Sequence, residues 1–209
     1  MNLTFLPAVA FLILTLSSAA AEQVGGDKAF SFVVLGDQPY DLPDDSIKFD
    51  RVIAAVNRLK PAFTLHVGDI KSSRVPCSDA IFRQALAQLQ TFEGPLVYTI
   101  GDNEWTDCHR KQAGSFDPRE RLTMLRQLFF ANPGQSLGKA PIAVTSQAQT
   151  MPAFSVYVEN ARFSKNDVLF ASVHVPGSNN GFEAQDPESA KEFFARDKAN
   201  VAWIGAVFA

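Results

Sequence analysis

Three aspartates follow short apolar runs at nearly equal spacing. Ser31 to Leu35 leads into Gly36-Asp37, Phe63 to Val67 into Gly68-Asp69, and Leu96 to Ile100 into Gly101-Asp102-Asn103-Glu104. Asp37 and Asp69 are 32 residues apart, and Asp69 and Asp102 are 33 apart. That is the length of a strand–helix–strand unit. A fourth apolar run, Val168 to Val173, ends at His174. Carboxylates and an imidazole on one edge form a hard, mixed oxygen and nitrogen donor set for divalent metals. Two such metals sharing a carboxylate can clamp both oxygens of a phosphoryl displacement. Asp37, Asp69, Asp102 and His174 are therefore the candidate ligands. The plainer alternatives are turn residues for Asp37 and Asp69, and helix-capping acids for Asp102 and Glu104.

The elements that must position these residues follow from pattern. Phe30 to Leu35 is short, apolar and rich in β-formers, as in a strand buried on both faces of a parallel sheet. Asp44, Asp45 and Ser46 precede Phe49, Val52, Ile53, Val56 and Leu59 at helical spacing. Pro61 closes that helix. Ser78 or Asp79 caps a second helix through Ile81, Phe82, Ala85, Leu86 and Leu89, and Gly94-Pro95 ends it. Strands joined by such crossovers run parallel. Ligands of open α/β sheets bind at the carboxyl ends of the strands, where all three Gly-Asp turns fall.

Asp117-Pro118-Arg119-Glu120 opens a third helix, with Asp117 as N-cap, Pro118 at N1 and Glu120 at N3, running to about Phe130. Gln135 to Met151 reads as an irregular surface excursion. Phe154 to Val158 alternates at period two, which predicts a strand with one wet face. Val168 to Val173 predicts a buried strand, and Asp186-Pro187-Glu188 a last helix. The chain stops at Ala209 on an apolar run without a C-cap signal, so the expectation is a domain incomplete at its C-terminus.

Composition narrows the class. The chain has 209 residues and a net charge of −3, with signs mixed and no long basic run, which excludes nucleic acid as a main partner. Leu3 to Leu16 is nearly all apolar and is followed by Ser17-Ser18-Ala19-Ala20-Ala21. This predicts an export signal over residues 1–21, although no Lys or Arg precedes the apolar core. The run is too short to span a bilayer. Residues 22–209 suit one domain, exported to a periplasm or the exterior and free of the membrane after cleavage. Cys77 and Cys108 then favour a disulfide between the loops that follow Asp69 and Asp102. Two free thiols, or a zinc site shared with His109, are the alternatives.

The ordered set strand-Gly-Asp, strand-Gly-Asp, strand-Gly-Asp-Asn-Glu and strand-His resembles the calcineurin-like metallophosphoesterases, which include the purple acid phosphatases. The resemblance spans Phe30 to Gly181. It implies an α/β sandwich with a mostly parallel central sheet, lacking its C-terminal part, and hydrolysis of phosphomonoesters or phosphodiesters by a metal-bound hydroxide. It implies two metal ions (Fe, Zn or Mn), with Asp37 on the first, Asp69 bridging, and Asp102 and His174 on the second. The departures are specific. Asp37-Gln38-Pro39 lacks the usual first-motif histidine, with Tyr40 nearby. Ser72 stands where the second motif ends in Asp or Tyr. Asn103 stands where the family has the histidine that protonates the leaving group, which an amide cannot do. His66, His109 and Asp107 are the nearby replacements, His66 reading more readily as a core histidine. The closing Gly-His-x-His motif is absent before Ala209. A non-catalytic relative that binds metal or phosphoester is therefore the second expectation. Lys71, Arg74, Arg110 and Lys111 flank the rim and could attract a phosphate, or be ordinary solvated charges. The substrate class is a small phosphoester, and the sequence sets no oligomeric state.

Overall fold

The computed structural model describes residues 28–209; the expected signal peptide, residues 1–21, lies outside them. The chain alternates as expected through its first half: β1 (Val33–Leu35), α1 (Asp44–Leu59), β2 (Thr64–His66), α2 (Asp79–Leu89) and β3 (Leu96–Tyr98). The three strands form a parallel sheet in the order β1-β2-β3, with Val33 opposite Thr64 and Thr64 opposite Leu96. The helix signals act as read. The Ser78 side chain accepts from the Ile81 amide at the start of α2. Asp117 accepts from Arg119 N ahead of α3 (Pro118–Phe129), with proline in the first turn.

One face of this sheet is covered by helices. Phe49, Ile53 and Val56 of α1, Phe82 and Leu89 of α2, and Leu122 and Leu125 of α3 pack with Leu96, Tyr98 and Ile100 into one buried cluster. Full burial of each such side chain is worth about 1.5–3 kcal/mol. The other face meets a second, antiparallel sheet of β4 (Thr145–Ser146), β5 (Ala161–Lys165) and β6 (Val168–Ala171), in the order β4-β5-β6. Phe63 and Val97 pack there on Phe163, with Phe30 and Phe170 at the margin. Arg162, next to Phe163, faces the opposite way, as strand alternation requires. Its guanidinium lies over Trp203 of α5 (Pro187–Val207), 5.5 Å from the ring centroid, and donates to Ala206 O. The layers are thus helices, parallel sheet, antiparallel sheet and α5. The mixed α/β class stands as expected.

Four local expectations are corrected. Phe154 to Val158 is not a strand: Pro152–Phe154 forms a 3-10 turn, and Val156 is exposed. Its alternation had no sheet to serve, and proline at the first position favours a helical turn. Val168 to Val173 is not a doubly buried strand. β6 stops at Ala171, lies at the edge of the antiparallel sheet, and exposes Val168 and Leu169 by 46% and 47%. β1 is likewise an edge strand, with Val34 exposed. Gln135 to Met151 is not wholly irregular, since it supplies β4 and the short helix α4 (Gln147–Thr150), capped by Ser146 and Gln149. Among the described residues no helix is long and apolar enough to cross a membrane.

Candidate functional site

Because β1, β2 and β3 are parallel neighbours, Asp37, Asp69 and Asp102 fall at one edge of the sheet. The Gly-Asp pairs let the turns touch. A Cβ on Gly68, which has φ +92°, would lie 2.3 Å from Gly101 N, and one on Gly101 would lie 2.2 Å from Asp69 Oδ1. No larger residue fits at either place. Asp37 and Asp69 themselves adopt the left-handed region, with φ of 56° and 59°. Such backbone is uncommon outside glycine and tends to be kept where a site requires it.

Glu104 ties the second and third turns together. It is fully buried and accepts from Gly101 N (2.8 Å), from Asp69 N (3.1 Å) and from the Tyr98 hydroxyl (2.7 Å). Burial and the charge of Asp69 push its carboxyl up to about 7. Lys71 is also fully buried, and its ammonium donates to the carbonyls of Asn103 and Ser72 rather than to a carboxylate. Burial lowers it to about 8. The expected disulfide joins Cys77 and Cys108, with Cα atoms 5.7 Å apart and the two sulfurs 3.7 and 3.9 Å from Asn103 O. Lysine and disulfide thus hold the same peptide, the one that aims Asn103.

On the rim, the Tyr40 hydroxyl stands 2.9 Å from Asp37 Oδ1 and 3.0 Å from Asp69 Oδ2. Asn103 donates from Nδ2 to Asp69 Oδ2 (3.0 Å) and to the tyrosine oxygen (3.2 Å), and its backbone N–H reaches Asp69 Oδ1 (3.2 Å). The Ser178 hydroxyl lies 2.7 Å from Asp102 Oδ2 and 2.9 Å from Asp107 Oδ1. A hydroxyl carries one proton. Each of these two therefore sits between a pair of carboxylates with a proton for only one of them. Burial and the charge of Asp102 raise Asp69 to about 6, against the pull of the Asn103 N–H. No Lys, Arg or His pairs with Asp37, Asp69 or Asp102 among the described residues. The rim is short of positive charge.

The histidines separate by tautomer, assigned from their partners. His66 is buried, as read, and its Nδ1 accepts from Gly68 N (3.2 Å). Its proton therefore sits on Nε2, which has no partner, and burial lowers the ring to about 4. His66 offers no lone pair. His174 is the reverse: Nδ1 donates to Glu159 Oε1 (2.9 Å), so the buried, partnerless Nε2 carries the lone pair. Burial favours the neutral ring, and Glu159 opposes this only in part. A carboxylate fixing the far nitrogen is the usual arrangement behind a metal-ligating histidine. Arg126 holds Glu159 in turn, at 2.6 Å. His109 is exposed, with Nδ1 2.7 Å from Thr106 O, at the wall of a cavity of about 730 Å³ beside Ser178.

The donor chemistry thus fits a cation: unneutralised carboxylates and one imidazole held in the ligating tautomer. They are not gathered, however. Among the described residues no three His, Cys, Asp or Glu side chains stand together closely enough to hold a metal ion. The structure joins Asp37 to Asp69 through Tyr40, and Asp69 to Asn103, but does not bring His174 into one set with the aspartates. Sequence reasoning noted Tyr40 without a role, and missed Ser178 and Glu159. The last two lie outside every strand-end motif, and only the fold shows what they touch. Comparison with protein-family models, curated proteins and solved structures gives no match.

Proposed function

We propose that the chain is a metal-dependent hydrolase of phosphomonoesters or phosphodiesters, with Asp37, Asp69, Asp102 and His174 as metal ligands. The observation that carries this is the rim itself. Three carboxylates on adjacent parallel strand ends form no ion pair among the described residues, and the Tyr40 hydroxyl has one proton for both Asp37 and Asp69. Bringing one phosphoryl dianion to such an edge is unfavourable without an added cation. The oxygen-rich set with one imidazole suits Mn, Fe or Zn. A bound cation supplies Lewis acidity toward the phosphoryl oxygens. Asn103 orients Asp69 through its amide and backbone N–H, and it has no proton to give a leaving group. We assign that proton transfer to His109 as an imidazolium, with Nδ1–H on Thr106 O and Nε2 without a protein partner among the described residues at the cavity wall. The disulfide and the export signal together favour a periplasmic or secreted protein.

The test is calorimetric titration of the chelator-stripped protein with Mn²⁺, paired with hydrolysis of 4-nitrophenyl phosphate and its bis-ester. Asp69→Asn should weaken the cation at least tenfold and abolish turnover. An unchanged rate in that variant refutes the assignment. The second reading, a binding module without turnover, rests on Asn103 in place of an acid. Cation binding with no hydrolysis of either ester selects it.

A further inference from the structure

Beyond the rim lies the 730 Å³ cavity, walled by Trp105, Asp107, His109, Arg119, Glu183 and Glu192. Ser178 joins the two places, because its hydroxyl contacts Asp102 of the rim and Asp107 of the cavity. A phosphoester whose phosphorus sits at the rim would lay its leaving group here. The volume is that of a pocket for a small organic molecule.

The charges on the walls decide what kind. Both arginines are already engaged. Arg110 meets Asp107 at 2.8 Å, and Arg119 meets Asp186 at 2.8 Å and Asp117 at 3.1 Å. Neither is left to pair with an anion of the ligand. Glu192 is taken by the buried Arg196 at 2.9 Å. Glu183 lines the cavity, and its carboxylate has no hydrogen-bond or ion-pair partner among the described residues. Apart from His109, to which the proton transfer is assigned, the charged side chain left open on these walls is therefore the Glu183 carboxylate, which matches an ammonium.

We propose that this cavity binds the leaving group of the substrate and selects an amino alcohol over a leaving group that carries a further anion. The substrate class is then a phosphoester of an ammonium-bearing alcohol. This rests on the phosphoester reading for its place in the reaction, but the binding preference can be measured without turnover.

Direct titration of the native protein with ethanolamine and with glycolate, read by saturation-transfer NMR, tests it. Ethanolamine should bind at least tenfold more tightly, and Glu183→Arg should reverse or erase the preference. Glu183 has no side-chain partner, so the variant should keep its thermal melt; if it does not, Glu183→Gln replaces it and should reduce the preference severalfold. Equal binding of the two probes, or a preference that survives both substitutions, overturns the proposal. In parallel, kcat/KM for ethanolamine phosphate should exceed that for phosphoglycolate by the same factor. Ammonium preference without any hydrolysis supports the pocket and counts against the phosphoester reading alone. Hydrolysis without the preference does the opposite.

Discussion

Glu104 gives the sharpest test of how the rim is built. It is one buried carboxylate receiving three buried donors: Gly101 N, Asp69 N and the Tyr98 hydroxyl. Glu104→Ala leaves all three without an acceptor. Each orphaned donor costs about 1–3 kcal/mol, so the loss should be roughly 3–9 kcal/mol out of a stability on the order of 5–15 kcal/mol. Glu104→Gln keeps one acceptor oxygen but turns an amide N–H₂ toward a donor, and should cost about 1–3 kcal/mol. Urea unfolding of chelator-treated protein reads both. At a slope of about 2 kcal/mol/M the alanine variant should shift the midpoint down by roughly 1.5–4.5 M. The pH dependence gives a second reading. The folded carboxyl is raised to about 7, by burial first and by Asp69 next, from its ordinary 4.5. The folded state therefore holds an extra proton between those values. Its contribution is complete below about pH 4.5 and is lost as pH rises through about 7. Glu104→Gln should flatten that decline. An alanine variant within about 1 kcal/mol of the native protein, or a decline unchanged in the glutamine variant, would refute the reasoning.

Three further outcomes follow from the same contacts. Replacing Cys77 and Cys108 with alanine should cost about 2–4 kcal/mol and also weaken Mn²⁺ binding, since the bridge lies against the peptide that aims Asn103; equal cation affinity with and without the disulfide would remove its role in the site. Glu159 is buried, which alone would raise its carboxyl, yet Arg126 and His174 hold it down to about 2. Its contribution to stability is thus present above about pH 4.5 and lost as pH falls toward 2, and Glu159→Gln should blunt acid unfolding measured by circular dichroism. Lys71→Met keeps the buried stem but withdraws the donor from Asn103 O, which should destabilise by about 1–3 kcal/mol in thermal or urea melts; a neutral result would make Lys71 a packing residue only.

The first half of the fold was legible because its signals are local. A buried strand, a capping residue, an apolar stripe and a proline stop each act within a turn or two, and together they fixed β1 to α3 and the parallel order of the sheet. The periodicity of Phe154 to Val158 misled because two-residue alternation says nothing about whether a partner strand exists. The Gly-Asp repeat placed Asp37, Asp69 and Asp102 on one edge, and the paired cysteines on neighbouring loops gave the disulfide. Those features depend on order along the chain. What surrounds them depends on distance through space. That Tyr40 and Ser178 each share one proton between two carboxylates, that Lys71 turns to a carbonyl, and that Glu159 fixes the tautomer of His174 were decided only when remote segments packed together. A side chain's type states which hydrogen bonds it can make, and the tertiary structure alone chooses among them.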